Sequence, residues 1–177
     1  YEIYQCDWSS DVCSSDLEIG YLESIGVPTV GKMVAKFDTG NGSSACSIQA
    51  DNAIEDDGFL LWNIGGSKFK SPIVGYTNTE VGRDNEKRAI IEMDLMFDGA
   101  LIKGVKVAPI NREAKSTPFL ANRTLMKRLG VMVNPSKAFV ISEQPDGYKP
   151  MKAKGEIHGG IIFGELEEMD EPKVEDK

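Results

Sequence analysis

Val34-Ala35-Lys36-Phe37-Asp38-Thr39-Gly40 runs a short apolar strand into a carboxylate, a hydroxyl and a glycine. Lys32 to Phe37 reads as a strand, and Asp38 then falls where the chain enters a loop carrying Gly40 and Gly42. A carboxylate held there is poised at a turn rather than lost in a helix face.

Working outward, short apolar runs punctuated by glycine dominate, and long helical periodicity is almost absent, which predicts an all-β chain. In Ala89 to Phe97 the residues Ala89, Ile91, Met93, Leu95 and Phe97 share one face while Glu92 and Asp94 share the other, as in a half-buried strand. Asp98-Gly99 supplies positive-φ turn chemistry, and Leu101, Val105 and Val107 resume the alternation on a return strand. Phe59–Ile64 pairs with Lys68–Val74 across Gly65-Gly66. Tyr76 to Asn85 is polar, as expected of a long hairpin tip. One helix is expected, capped by Asn122, with Leu125, Met126 and Leu129 as its apolar stripe and Gly130 as its stop. Val131–Val133 and Ala138–Ile141, around Asn134-Pro135-Ser136, predict a last hairpin.

The 177 residues are one domain's worth of chain, with 41% hydrophobic residues. No apolar run is long enough to cross a bilayer, and a net charge of −8 argues against a nucleic-acid partner. Residues 1–17 (YEIYQCDWSSDVCSSDL) lack basic residues and apolar periodicity, and Asp7 to Leu17 resembles the translation of a common sequencing-library adapter. They are set aside as an artefact, expected to be disordered. Four of the 28 acids go with them, so residues 18–177 carry −4. Cys46 is then the sole thiol, which excludes a disulfide framework and makes a reducing cytoplasm the expected compartment. Residues 143–177 read as an appendage whose acidic end, Glu165–Lys177, buries too little to be ordered.

Hydrolysing a peptide with carboxyl groups takes two of them on one water, one ionised to accept its proton and one protonated to polarise the carbonyl. This chain has one Asp-Thr-Gly, so the second aspartate must come from another copy across a two-fold axis. The tripeptide alone is also compatible with an ordinary Asx turn.

Longer segments carry more. Ala35-Lys36-Phe37-Asp38-Thr39-Gly40-Asn41-Gly42-Ser43-Ser44-Ala45 resembles the active-site segment of the retropepsin-like aspartic proteases. It is closest to the branch associated with ribosomal-protein glutamate ligase, often labelled "ATP-dependent zinc protease". Thr117-Pro118-Phe119-Leu120-Ala121-Asn122-Arg123-Thr124-Leu125-Met126 and Val133-Asn134-Pro135-Ser136-Lys137-Ala138-Phe139 resemble later segments of that branch, and Arg88–Leu95 and Arg112 also fit.

The resemblance implies a retropepsin-like domain over residues 18–142: a small closed six-stranded acid-protease barrel with one short helix, forming one half of a two-fold homodimer of bacterial or phage origin. It implies Asp38 as the catalytic acid/base, Thr39 as the residue gripping the partner loop, and Gly40 as the close approach beside the carboxylate. Ser43 and Arg123 would support the site. Tyr76, Thr77, Asn78, Thr79, Glu80, Val81 and Gly82 would form a flap closing over an extended peptide. The implied activity is that of an aspartic endopeptidase acting on a peptide or protein substrate, with no cofactor, no metal, no nucleic acid and no membrane. The zinc label draws no support from the residues, since His158 is the only histidine, and no phosphate-cradling loop stands for ATP.

Three departures from the family pattern suggest an alternative, a catalytically inactive barrel acting as a binding or assembly module. Asn41-Gly42 follows the triplet, and Ala121 and Asn122 stand where the family has a glycine before Arg123. Cys46 reads as a small buried side chain, with no histidine nearby to activate it.

Overall fold

The computed structural model describes residues 17–81 and 84–148, together with four three-residue strands between residues 151 and 168. The chain is mostly β with one helix among the described residues. In chain order the strands are β1 (Leu17–Val27), β2 (Gly31–Phe37), β3 (Cys46–Gln49), β4 (Asn52–Asp56), β5 (Phe59–Ile64), β6 (Ser67–Pro72), β7 (Gly75–Val81), β8 (Asp84–Phe97), β9 (Ala100–Ile110) and β10 (Phe119–Ala121). Helix α1 (Arg123–Leu129) follows, then β11 (Val131–Ala138) and the short β12 (Met151–Ala153), β13 (Glu156–His158), β14 (Ile161–Phe163) and β15 (Leu166–Glu168).

Eight strands form the main sheet in the order β11-β1-β2-β10-β3-β9-β8-β7, and a further bridge, Gly26 opposite Met96, joins β1 to β8. β4, β5 and β6 make a separate three-stranded meander. The core gathers Ile19, Ile25, Phe37, Ile48, Ile91, Leu95, Val107 and Phe119 from the main sheet, with Leu60, Trp62 and Ile64 of the meander packed against it. Phe37 and Phe97 meet with ring centroids 5.4 Å apart, and Trp62 stacks on Phe69 at 4.4 Å.

The β8 alternation is as expected: Ile91, Leu95 and Phe97 are buried while Glu92 and Asp94 are exposed. The turn at Asp98 and Gly99 takes φ of 48° and 75°. The return strand departs from expectation at Leu101, which is 49% exposed while Ile102 is buried. Met93 pairs with Val105 but Leu95 pairs with Ile102, so β9 carries one extra residue. The extra residue is absorbed where Gly104 adopts φ 60° and donates its N–H to Asp94 Oδ1 at 2.9 Å, a bulge that flips the phase of the strand beyond it.

The expected final hairpin does not form. β11 runs as a single strand parallel to β1, from Leu17 opposite Val131 to Leu22 opposite Ala138. Asn134-Pro135-Ser136 bulges outward instead of reversing the chain: one residue of β1, Tyr21, between Gly20 and Leu22, faces three of β11 between Asn134 and Ala138. The Asn134 side chain accepts from Ser136 N, closing the bulge locally.

β1 itself carries a signal that alternation does not reveal. Glu23 is fully buried, between Ile19 and Ile25. Its carboxylate accepts from the backbone N–H groups of Gly20 (2.7 Å), Val140 (2.8 Å) and Ser142 (3.1 Å) and from the Ser142 hydroxyl. The segment after β11 is thereby wrapped back over β1. Gly20 is required there, because a Cβ would lie 2.7 Å from Lys137 O and 2.8 Å from Ala138 Cα. Glu23→Ala leaves several buried donors without an acceptor and should cost on the order of 3 kcal/mol. Urea denaturation should show the loss, with Glu23→Gln less damaging because it keeps one acceptor oxygen.

Candidate functional site

Parallel pairing of β10 with β2 sets Ala121 opposite Phe37, so the end of β10 arrives beside the loop that begins at Asp38. Asp38 N donates to Ala121 O at 3.3 Å and Asn41 N to Asp38 O at 2.9 Å, closing a tight turn at the strand's end. The Asp38 carboxylate is half-buried, and Gly40 N donates to its Oδ1 at 3.0 Å. A Cβ at Gly40 would stand 3.3 Å from that same oxygen, tighter than an ordinary contact, which explains the glycine. Thr39 is exposed beside it. Among the described residues no cation lies within ion-pair distance of Asp38; the two ion pairs join Arg88 to Glu86 and Lys137 to Glu18.

The loop is braced from below by Asn122, which is 2% exposed. As N-cap of α1 its Oδ1 accepts from Leu125 N at 2.9 Å, and the same oxygen accepts from Cys46 Sγ at 3.4 Å. Its Nδ2 donates to Ser43 O at 2.9 Å, and Arg123 N donates to Asn41 O at 3.0 Å. Ser43 lies within this brace, its hydroxyl donating to Ala45 O at 2.7 Å and its N–H to Asn41 Oδ1 at 3.0 Å. The Arg123 guanidinium lies against Gly42, in space that any side chain there would occupy. Gly130 ends the helix at φ 64° and its N–H reaches back to Lys127 O and Met126 O. Burial pushes the Cys46 thiol up to about 11, so it stays protonated and serves as packing.

Around Asp38 the surface forms an open groove of about 300 Å³, lined by Lys36, Phe37, Asp38 and Thr39 with Tyr21 of β1 and Val133 and Pro135 of β11. The groove therefore joins the loop to the strand pair that Glu23 stabilises. Tyr21, Val133 and Pro135 carry no sequence signal for this position; the parallel β1–β11 pairing puts them there.

Tyr76 to Val81 lie in β7, whose antiparallel ladder with β8 runs from Gly75 opposite Ile90 to Val81 opposite Asp84. This is an extended two-stranded hairpin; Gly82 lies outside the described residues. Tyr76 is partly exposed, its hydroxyl donating to Glu55 Oε2 at 2.8 Å while Lys87 Nζ sits 3.7 Å from its ring centre. That bond to a carboxylate raises the phenol's pKa. Structure thus brings Asp38, Thr39, Gly40, Ser43 and Arg123 into one loop-and-helix unit. Among the described residues no three His, Cys, Asp or Glu side chains come together as a metal site, and no helix is long and apolar enough to cross a membrane.

No protein-family model and no curated protein matches the chain. Among solved structures, the crystal structure of Lpg0085, a protein of unknown function (DUF785) from Legionella pneumophila subsp. pneumophila str. Philadelphia 1, is similar. Its TM-score is 0.58 at 23% identity, covering 72% of this chain and 100% of that one. That likeness concerns the fold.

Asn122→Ala removes a helix cap and leaves the Ser43 carbonyl without its donor, and should cost about 2 kcal/mol. Thermal melting should show the loss. The Cys46 thiol of the parent, protonated and buried, should stay inert to a thiol reagent at pH 8 until unfolding.

Proposed function

We propose that the chain is an aspartic endopeptidase that works as a homodimer, with water activated between the Asp38 carboxylates of two copies. The observation that carries this reading is the setting of Asp38. Asp38 lines an open groove, holds one backbone N–H on Oδ1 and has no cation beside it among the described residues, on a loop braced by Asn122 and Arg123.

In this reading two such carboxylates a few ångströms apart cannot both ionise, so they share one proton. The ionised member takes a proton from the water, which attacks the scissile carbonyl; the protonated member donates to the carbonyl oxygen as the tetrahedral intermediate forms. Its collapse, with a proton passed to the amine, breaks the C–N bond. Thr39, exposed next to the carboxylate, would meet the partner loop. The β7–β8 hairpin would cover the bound peptide and offer main-chain hydrogen bonds.

A small closed barrel of six strands fits the pairing chain β1-β2-β10-β3-β9-β8, which the Gly26–Met96 bridge returns to β1. The binding-module alternative rested on crowding by Ala121 and Asn122. Ala121 instead lies buried opposite Phe37, and Asn122 fills its site with hydrogen bonds on both sides.

Incubation of the chain with a peptide library between about pH 4 and pH 7 should give cleavage that Asp38→Asn abolishes, a loss of at least about a thousandfold. Equal cleavage by both proteins, or none by either, would favour the binding module. Sedimentation should show a dimer, and Thr39→Ala should weaken it while leaving the monomer folded.

A further inference from the structure

The three-stranded meander ends in two edge strands among the described residues, β4 and β6, and the two differ. β6 carries Lys68, Lys70 and Pro72, residue types that keep a strand edge from pairing further. β4, Asn52-Ala53-Ile54-Glu55-Asp56, has neither lysine nor proline, and all five of its residues are exposed.

Which backbone groups β4 leaves open follows from its turn. Asp57 and Gly58, at φ 44° and 79°, close a two-residue hairpin between Asp56 and Phe59. Such a turn makes its flanking residues a hydrogen-bonded pair, and the antiparallel alternation repeats that state at Ile54 opposite Leu61 and at Asn52 opposite Asn63. Ala53 and Glu55, between them, direct their N–H and C=O away from β5. Two donors and two acceptors thus line the edge in strand geometry, with no backbone partner among the described residues.

The side chains define what kind of strand fits. Ile54 is 55% exposed and Leu61, directly opposite, 37%, an apolar cross-strand pair open to solvent. From Asp51 to Gly58 there are four acids, Asp51, Glu55, Asp56 and Asp57, and no base. None of the four joins an ion pair among the described residues. Glu55 is held in place by the Tyr76 hydroxyl, which donates to its Oε2 at 2.8 Å. A second copy of β4 would bring the same four acids against these, which disfavours self-pairing, whereas a basic strand is attracted.

We propose that the β4 edge takes up an extended basic segment of a protein partner by strand addition, with an apolar residue opposite Ile54 and lysine or arginine on either side of it. Main-chain bonds to Ala53 and Glu55 make the pairing, the Ile54–Leu61 pair receives the apolar side chain, and the acids attract the flanking cations. The site does not require Asp38 to be catalytic.

Fluorescence anisotropy of a labelled Lys-Val-Lys-Val-Lys peptide titrated with the full chain tests the proposal. The alternating peptide should bind, and added salt should weaken it. The same residues in block order, Lys-Lys-Lys-Val-Val, and the acidic Glu-Val-Glu-Val-Glu should each bind at least about tenfold more weakly. Ala53→Pro removes an outward N–H without breaking a bond to β5, so it should keep the parent's melting temperature and lose about tenfold in affinity. No binding of the alternating peptide, equal binding of the block or acidic one, or parent-like binding by Ala53→Pro would overturn the site. If Ala53→Pro does not fold, an alternating peptide methylated on its lysine backbone nitrogens takes its place, and unchanged affinity overturns the site. Sedimentation in which Ala53→Pro dissociates a dimer of the parent would put a second copy on this edge and overturn the basic partner.

Discussion

The Asn122 side chain is where the architecture converges. One amide caps α1, accepts from the Cys46 thiol of β3 and donates to Ser43 in the loop that follows Asp38. Each partner belongs to a different segment, and each is held by something else as well: β3 by pairing to β9 and β10, the loop by Asp38 N on Ala121 O, the helix by Leu125 and Met126 in the core. A buried polar group with a partner on each polar atom fixes relative positions more narrowly than apolar contact does, because a small shift leaves a donor or acceptor stranded. The Asp38 loop inherits that rigidity without using its own carboxylate to obtain it.

A second buried polar group plays the matching part on the other wall of the groove. Glu23 draws the chain after β11 onto β1, and β11 in turn supplies Val133 and Pro135 beside Asp38. The close approach needed for this is possible only at Gly20, where a side chain would strike the β11 backbone. The groove is therefore the meeting place of two independently secured units, one fixed by an amide and one by a carboxylate.

What was legible in the sequence follows from how local each cause is. The β8 alternation, the Asp98-Gly99 turn and the α1 caps are dictated by neighbours in the chain, and they stand where the residues put them. The last hairpin is absent because Asn134-Pro135-Ser136 has local turn chemistry, while parallel pairing with β1, more than a hundred residues earlier, decides its path. Leu101 lies on the unexpected face because a bulge at Gly104 changes the phase, and a glycine in a strand pattern marks a bulge only when its partner's register is known. At the site, Asp38, Thr39 and Gly40 were visible as a motif. Asn122 was visible as a cap, but its bond to Ser43 and its contact with Cys46 are long-range and left no pattern. Glu23 offers one acidic letter in an apolar run, which reads equally well as a solvent-facing residue until its donors are seen.

Rigidity of this loop bears directly on the proposed dimer. When two identical loops meet on a two-fold axis, any displacement of one is mirrored by the other, so an error in the position of a single carboxylate is doubled in their separation. Proton sharing depends steeply on that separation, since the Coulomb term varies inversely with distance and is strongest where water is excluded. A lone carboxylate on a mobile loop would ionise independently and lose the division of roles on which the proposed hydrolysis rests. Bracing beneath Asp38, on Asn122, Arg123 and Ala121, leaves its outward face and Thr39 free for the contact. In the proposed dimer each chain would bring a loop whose geometry is already set, and association would have to supply the second acid without also ordering the first.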